Sequence, residues 1–186
     1  MGDICSNPVK YNLTDLAWFL GASIFGSMFV ASIYGSEIQD IYGPKNLFLV
    51  GFLISFGALV SVFGVLQDLD EFMTGMDPNE ILSKCKFSRN EETNLEEAYS
   101  LATKRAYTLF VDFLVSWILL GAVNGVLIYY GPPHWLTTLS IGLFSLLGFV
   151  SFVLWIISYL RYRDYSKKLL VIQLKKNEKA EISIKI

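Results

Sequence analysis

The residues of this chain best suited to chemistry lie on one short stretch. Arg105, Thr108, Asp112 and Ser116 recur at intervals of three or four, which on a helix makes them neighbours on one polar stripe. Asp112 is the informative member, because the residues that follow it are apolar for several turns. A carboxylate at the centre of a bilayer costs roughly 2.5–3.5 kcal/mol on insertion scales and less toward the interface. Two chemistries suit the stripe. The first is an ion or proton site, or the lining of an aqueous vestibule; the second is a hydrogen-bond knot at a wet helix end, with Thr108 and water satisfying the carboxylate. Asn124 stands farther along, between Gly121 and Gly125. Its amide is expected to bond across to a neighbouring helix where those glycines permit close approach.

Elsewhere the types and spacings that catalysis needs do not converge. The one histidine, His134, follows two prolines in a turn. The two cysteines, Cys5 and Cys85, have no metal-ligand spacing. Both fall on the side that the charge pattern makes cytoplasmic, where free thiols are expected rather than a disulfide. There is no glycine-rich phosphate loop and no nucleophile elbow. The sequence therefore points away from an enzyme, and it assigns no catalytic residue, cofactor or metal.

The elements that must position these residues are long and apolar. Of 186 residues, 53% are hydrophobic and 17% charged, against about 25% charged in a soluble domain. The apolar residues gather into four runs, 16–34, 47–66, 107–129 and 135–160. A helix crossing the ~30 Å hydrocarbon layer needs about 20 such residues, so the expected fold is an all-α integral membrane protein with four transmembrane helices in two hairpins. The expected parts are an N-terminus over 1–15, a first hairpin over 16–66, an acidic helical loop over 67–106, a second hairpin over 107–160 and a basic tail over 161–186. The first run begins late and lacks a basic lead, so it reads as a span and not as a cleaved signal.

Small residues at four-residue intervals let membrane helices approach closely. Ser27, Ala31 and Gly35 form such a row in the first run, Gly57 and Ser61 in the second, and Gly121 and Gly125 in the third. These rows are expected to seat helices against one another within the bundle, against further copies of the chain, or against a partner.

Orientation follows from the basic residues. Lys45 alone flanks the short connections after the first and third runs. The other fourteen of the fifteen lie before the first run, in the middle loop or in the tail. Both termini and the middle loop are therefore expected in the cytoplasm, or in the matrix of a mitochondrial inner membrane. The short connections then sit outside, and each holds a Tyr-Gly-Pro turn, at 42–44 and 130–132. Tyrosine suits the headgroup level, glycine a sharp reversal and proline a helix start.

The loop carries nine acids against five bases. Asp77-Pro78-Asn79-Glu80 spells a helix start. Asn94-Leu95-Glu96-Glu97 spells another, whose helix could run through Lys104 and Arg105 into the third span. The tail is basic close to the membrane, which suits anionic lipid. Its apolar Leu169 to Ile172 suits the bilayer or the loop, and the alternation at 180–186 suits a strand edge.

Residues 36–48 resemble the loop between the second and third spans of major facilitator transporters, through Asp40, Gly43 and Lys45. Ser36 replaces that loop's first glycine and Pro44 interrupts its basic pair, and twelve spans do not fit 186 residues. The expected topology is similar to that of connexin-like channels, but their outer loops need cysteines that these lack. Three functions fit the chain: an accessory or assembly subunit of a larger membrane complex, a homo-oligomeric channel or transporter with Asp112 on its path, and a membrane trafficking or shaping protein. The partners expected are the bilayer, other subunits or further copies of the chain, and anionic lipid at the tail, with no nucleic acid.

Overall fold

A computed structural model describes residues 17–28, 47–74, 77–85, 91–130 and 135–184, and every element among them is helical. A short apolar helix, α1, covers Ala17–Met28. It is followed by α2 (Leu47–Thr74), α3 (Pro78–Lys84), α4 (Glu91–Tyr130) and α5 (Trp135–Ile184). Three of these, α2, α4 and α5, are long and apolar enough to cross a membrane, and only 17–28% of the most apolar stretch of each is buried within the chain. Side chains such as Leu53, Phe63, Ile118, Ile128, Leu143 and Phe149 stand exposed along them. Water would penalise each by about 1.5–3 kcal/mol relative to burial. Lipid removes that penalty, and the chain is an integral, multi-pass membrane protein by helix length and composition.

The residues fall into two compact units, and α2, α4 and α5 contribute to both. The apolar unit comprises 10–67 and 112–153. Among its described residues the only formal charge is Asp112. Here α1 meets α2 through the Phe19 and Phe63 rings, 5.8 Å apart. A methyl group at Gly26 would fall 2.8 Å from the Ser55 hydroxyl, and one at Gly51 would fall 3.3 Å from the Ser27 carbonyl. Small residues are thus required at those crossings. Along α4 and α5, Trp117 packs on Phe152 at 5.1 Å, and Asn124 Nδ2 donates to Ser145 Oγ at 3.2 Å.

The second unit comprises 1–9, 68–111 and 154–186, and holds most of the charge. Asp77 caps α3 as its motif implies: its side chain accepts from the Asn79 amide at 2.9 Å, and Pro78 opens the helix. The helix expected to start near Asn94 begins three residues earlier, at Glu91, and continues without interruption to Tyr130. Glu91 and Glu92 at its first turn complement the helix dipole. Two expectations are corrected. Residues 180–184 do not form a strand, since α5 remains helical to Ile184. Residues 161–184 extend a helix nucleated by the apolar run, and elongation is far easier than a new start. Nor is Cys85 a free thiol: it is disulfide-bonded. It is buried beside Ile81, Ala98 and Ala102, in a packed pocket that spacing along the sequence does not reveal. The chain's other cysteine, Cys5, lies outside the described residues.

Candidate functional site at the charged ends of the helices

The polar chemistry gathers in the charged unit, where the end of α2, the whole of α3, the start of α4 and the distal half of α5 meet. Each element arrives there for a local reason. The apolar run of α2 gives way to Asp68, Asp70 and Glu71, α3 is started by its Asp-Pro cap, and α5 becomes basic from Arg161 onward.

A half-buried ion pair ties α4 to α2. Arg105 Nη1 lies 3.9 Å from Glu71 Oε1, with the arginine side chain 5% exposed and the glutamate 29%. Asp68, almost one turn before Glu71, is buried as well. Beyond the pair, aromatic rings carry α4 against α5. Phe110 meets Trp155 at 6.2 Å and Tyr159 at 5.5 Å, Tyr107 meets Tyr162 at 5.5 Å, and Tyr99 meets Tyr165 at 6.2 Å. Such pairs contribute roughly 0.5–1.5 kcal/mol each beyond the area they bury. The ladder ends in a surface clasp. Lys176 Nζ donates to Glu96 Oε2 at 2.6 Å, and Gln173 Nε2 to Glu96 Oε1 at 3.5 Å. The hydrogen bond from Lys176 holds the Glu96 carboxyl below the usual carboxylate range.

Between α3 and α5 a cavity of about 460 Å³ opens, lined by Phe72, Asp77, Tyr99, Arg161 and Tyr165 among others. Arg161 lies over the Phe72 ring, 4.5 Å from its centroid. Burial raises the Tyr165 hydroxyl above its ordinary range, so at neutral pH it keeps its proton and can donate. Lys168 is paired with Asp164 at 2.9 Å, a hydrogen bond that raises the lysine.

The residues singled out from sequence are dispersed. Arg105 and Ser116 are buried, and Thr108 and Asp112 half-buried, on the α4 face where the stripe was expected. Arg105 and Asp112 both have partners. Asn124 reaches α5 through Ser145. Ser27 donates to the Ile24 carbonyl at 2.6 Å, and Ser61 to the Gly57 carbonyl at 2.5 Å. A methyl at Gly57 would meet Val123 at 3.0 Å, whereas one at Gly121 or Gly125 would meet nothing within 4 Å among the described residues. Ala31, Gly35 and His134 lie outside the described residues, as do both Tyr-Gly-Pro turns apart from Tyr130.

Sequence reasoning passed over Asp68 and Glu71 as loop acids. Their signal was available, since they sit three residues apart directly behind an apolar run and so share one helix face. It also passed over Tyr165 and Arg161, whose importance arises only from the approach of α3 and α4. Comparison with protein-family models, with curated proteins and with solved structures finds no match.

Proposed function

We propose that the protein is a non-enzymatic, four-span membrane protein of two helical hairpins, acting as an accessory or assembly subunit of a larger membrane complex. The hairpin reading is supported by the order of contacts. Residue numbers rise along α4 from Tyr107 to Phe110 as their partners fall along α5 from Tyr162 to Tyr159, and α1 meets α2 in the same opposed sense.

The observation that carries the subunit reading is the distal face of α5. At 1.5 Å per residue its 50 residues reach about 75 Å, more than twice the ~30 Å hydrocarbon layer. On the part beyond the apolar run, Leu170, Val171 and Leu174 are 58%, 50% and 54% exposed. Lysines 167, 168, 175 and 176 surround them. An apolar ridge among lysines outside the bilayer is stabilised by a cover, and Lys167 and Lys175, beside the Lys168 and Lys176 that Asp164 and Glu96 engage, favour an acidic rim on the covering subunit. Extraction in mild detergent, native electrophoresis and mass spectrometry of co-migrating chains test this. A large particle with other proteins is expected, and the triple substitution L170S/V171S/L174S should release the chain from it. A particle of one chain alone would overturn the reading.

The basic residues support a cytoplasmic or matrix placement for the loop and tail. The Cys85 bond belongs to that same side. Disulfides persist in oxidising compartments, so on a cytoplasmic face cellular thiols open it. Its state in the native membrane therefore reports orientation.

A channel or transporter is the second reading, favoured by Asp112 as the one formal charge among the described residues of the apolar unit. Asp112→Asn separates the two. The channel reading expects altered conductance or pH response with assembly intact, and the subunit reading expects, if anything, a loss of assembly.

A further inference from the structure

The cavity beside α3 is lined by charges of both signs. Three acids and two bases line it, Asp77, Glu80 and Asp164 against Arg161 and Lys168. Several of these are already engaged. Lys168 is held by Asp164, Glu80 pairs with Lys84 at 2.5 Å, and one Asp77 oxygen caps α3. Arg161 is different. It stacks on Phe72 and has no carboxylate partner among the described residues. The Tyr165 hydroxyl, a protonated donor, likewise has no hydrogen-bond partner there. The second carboxylate oxygen of Asp77 and the ring of Tyr99 complete the uncommitted chemistry on the wall.

We propose that this cavity binds a phosphodiester bearing an ammonium group, the headgroup chemistry of a zwitterionic phospholipid. Arg161 and the Tyr165 hydroxyl take the phosphate, since a guanidinium offers a planar fork of donors. Asp77 and the face of Tyr99 take the ammonium, by charge and by cation–π attraction. A simple anion would meet three carboxylates and a simple cation would meet Arg161, so the mixed wall favours a ligand with both charges. The volume lies within the roughly 300–1,000 Å³ usual for small-ligand sites. The placement suits a lipid, because Arg161 is the first residue after the apolar run of α5, and Phe72 follows the apolar run of α2 by less than two turns. The site shares Lys168 with the rim of the apolar ridge on which the subunit reading rests, but none of the ridge's apolar side chains.

The test uses the full chain in mild detergent, with native mass spectrometry of retained lipid. The probes are phosphatidylethanolamine and phosphatidylglycerol of one acyl composition, and soluble glycerophosphoethanolamine as competitor. Phosphatidylethanolamine should be retained at least ~10-fold better than phosphatidylglycerol. Arg161→Gln should reduce that retention ~10-fold and Tyr165→Phe by a few-fold, while Glu178→Gln, exposed on the tail outside the cavity, leaves it unchanged. Displacement by the soluble competitor would identify a free phosphodiester as the ligand, and failure to displace would identify the lipid; both keep the headgroup chemistry. Equal retention of the two lipids, or unchanged retention in Arg161→Gln with helicity preserved by circular dichroism, would overturn the proposal.

Discussion

The Arg105–Glu71 pair gives the sharpest test of how the charged unit is held. At 3.9 Å and an effective dielectric of about 20, the gross Coulomb attraction is about 4 kcal/mol. Desolvation of the guanidinium offsets much of this, and the 29% exposure of Glu71 screens part of the remainder. The net value of the pair is therefore small, yet breaking it is costly, because one charge stays behind partly buried. Arg105→Met keeps the length of the side chain and removes the charge. It should cost about 2–3 kcal/mol, below the 3–5 kcal/mol typical of a fully buried pair. Glu71→Met should cost a similar amount, because it leaves a guanidinium that is 5% exposed. The double variant Arg105→Met/Glu71→Met should return to within about 1 kcal/mol of the wild type. Both residues also engage other groups, so each single substitution reports more than the pair, and only the coupling isolates it. Reversible unfolding in mixed micelles, followed by circular dichroism, gives the four stabilities. A double variant as unstable as the two singles added together would refute the argument, since the residues would then act independently.

The remaining expectations concern other parts of the chain. Gly57→Leu should destabilise by about 1–3 kcal/mol through overpacking against Val123; Gly121→Leu, which has open space, should leave the isolated chain's thermal unfolding unchanged. The Glu96–Lys176 clasp is a partly exposed pair worth at most about 1 kcal/mol. Because the folded carboxyl is depressed, that stability is present above the unfolded carboxylate range and is lost as pH falls through the folded value. A loss of amide protection along distal α5 in acid, taken relative to the intrinsic exchange rate at each pH and absent in Glu96→Gln, would show it. Cys85 should resist maleimide labelling in the purified, oxidised chain until a reductant is added, while the same labelling in intact membranes reads whether the loop faces a reducing compartment.

Much of the architecture was legible because bilayer insertion is written into composition. Runs of apolar residues lacking charge specify a helix that satisfies its own backbone, and α2, α4 and α5 sit where those runs fall. Local chemistry was legible too: Asp77 and Pro78 open α3 as their types dictate. What stayed hidden depends on contacts between residues far apart in sequence. Glu71 and Arg105 are thirty-four positions apart, and Glu96 and Lys176 are eighty. Side-chain charge alone cannot say which acid of nine in the loop meets which base. Cys85 was expected as a free thiol for the same reason, since spacing along the sequence does not show what it meets in the fold. The glycines show the limit most clearly. Gly57, Gly121 and Gly125 belong to the same kind of pattern, yet among the described residues only Gly57 of the three faces a neighbour within 4 Å. The motif marks a helix able to pack closely and leaves the choice of neighbour to the fold.

That distinction bears on the subunit reading. A small residue inside the bundle is fixed by its neighbour, as Gly51 is by Ser27. A row of small residues on an α4 face that is open among the described residues has no such constraint from them, and in a lipid-facing position larger apolar side chains would serve as well. Gly121 and Gly125 lie on that open face, while α5 exposes Leu170, Val171 and Leu174 beyond its apolar run. If a single partner covers both surfaces, Gly121→Leu should weaken its co-migration without unfolding the chain, and L170S/V171S/L174S should do the same. Loss in the tail variant alone would confine the partner to the tail, and retention in both would remove the physical basis for proposing a partner at all.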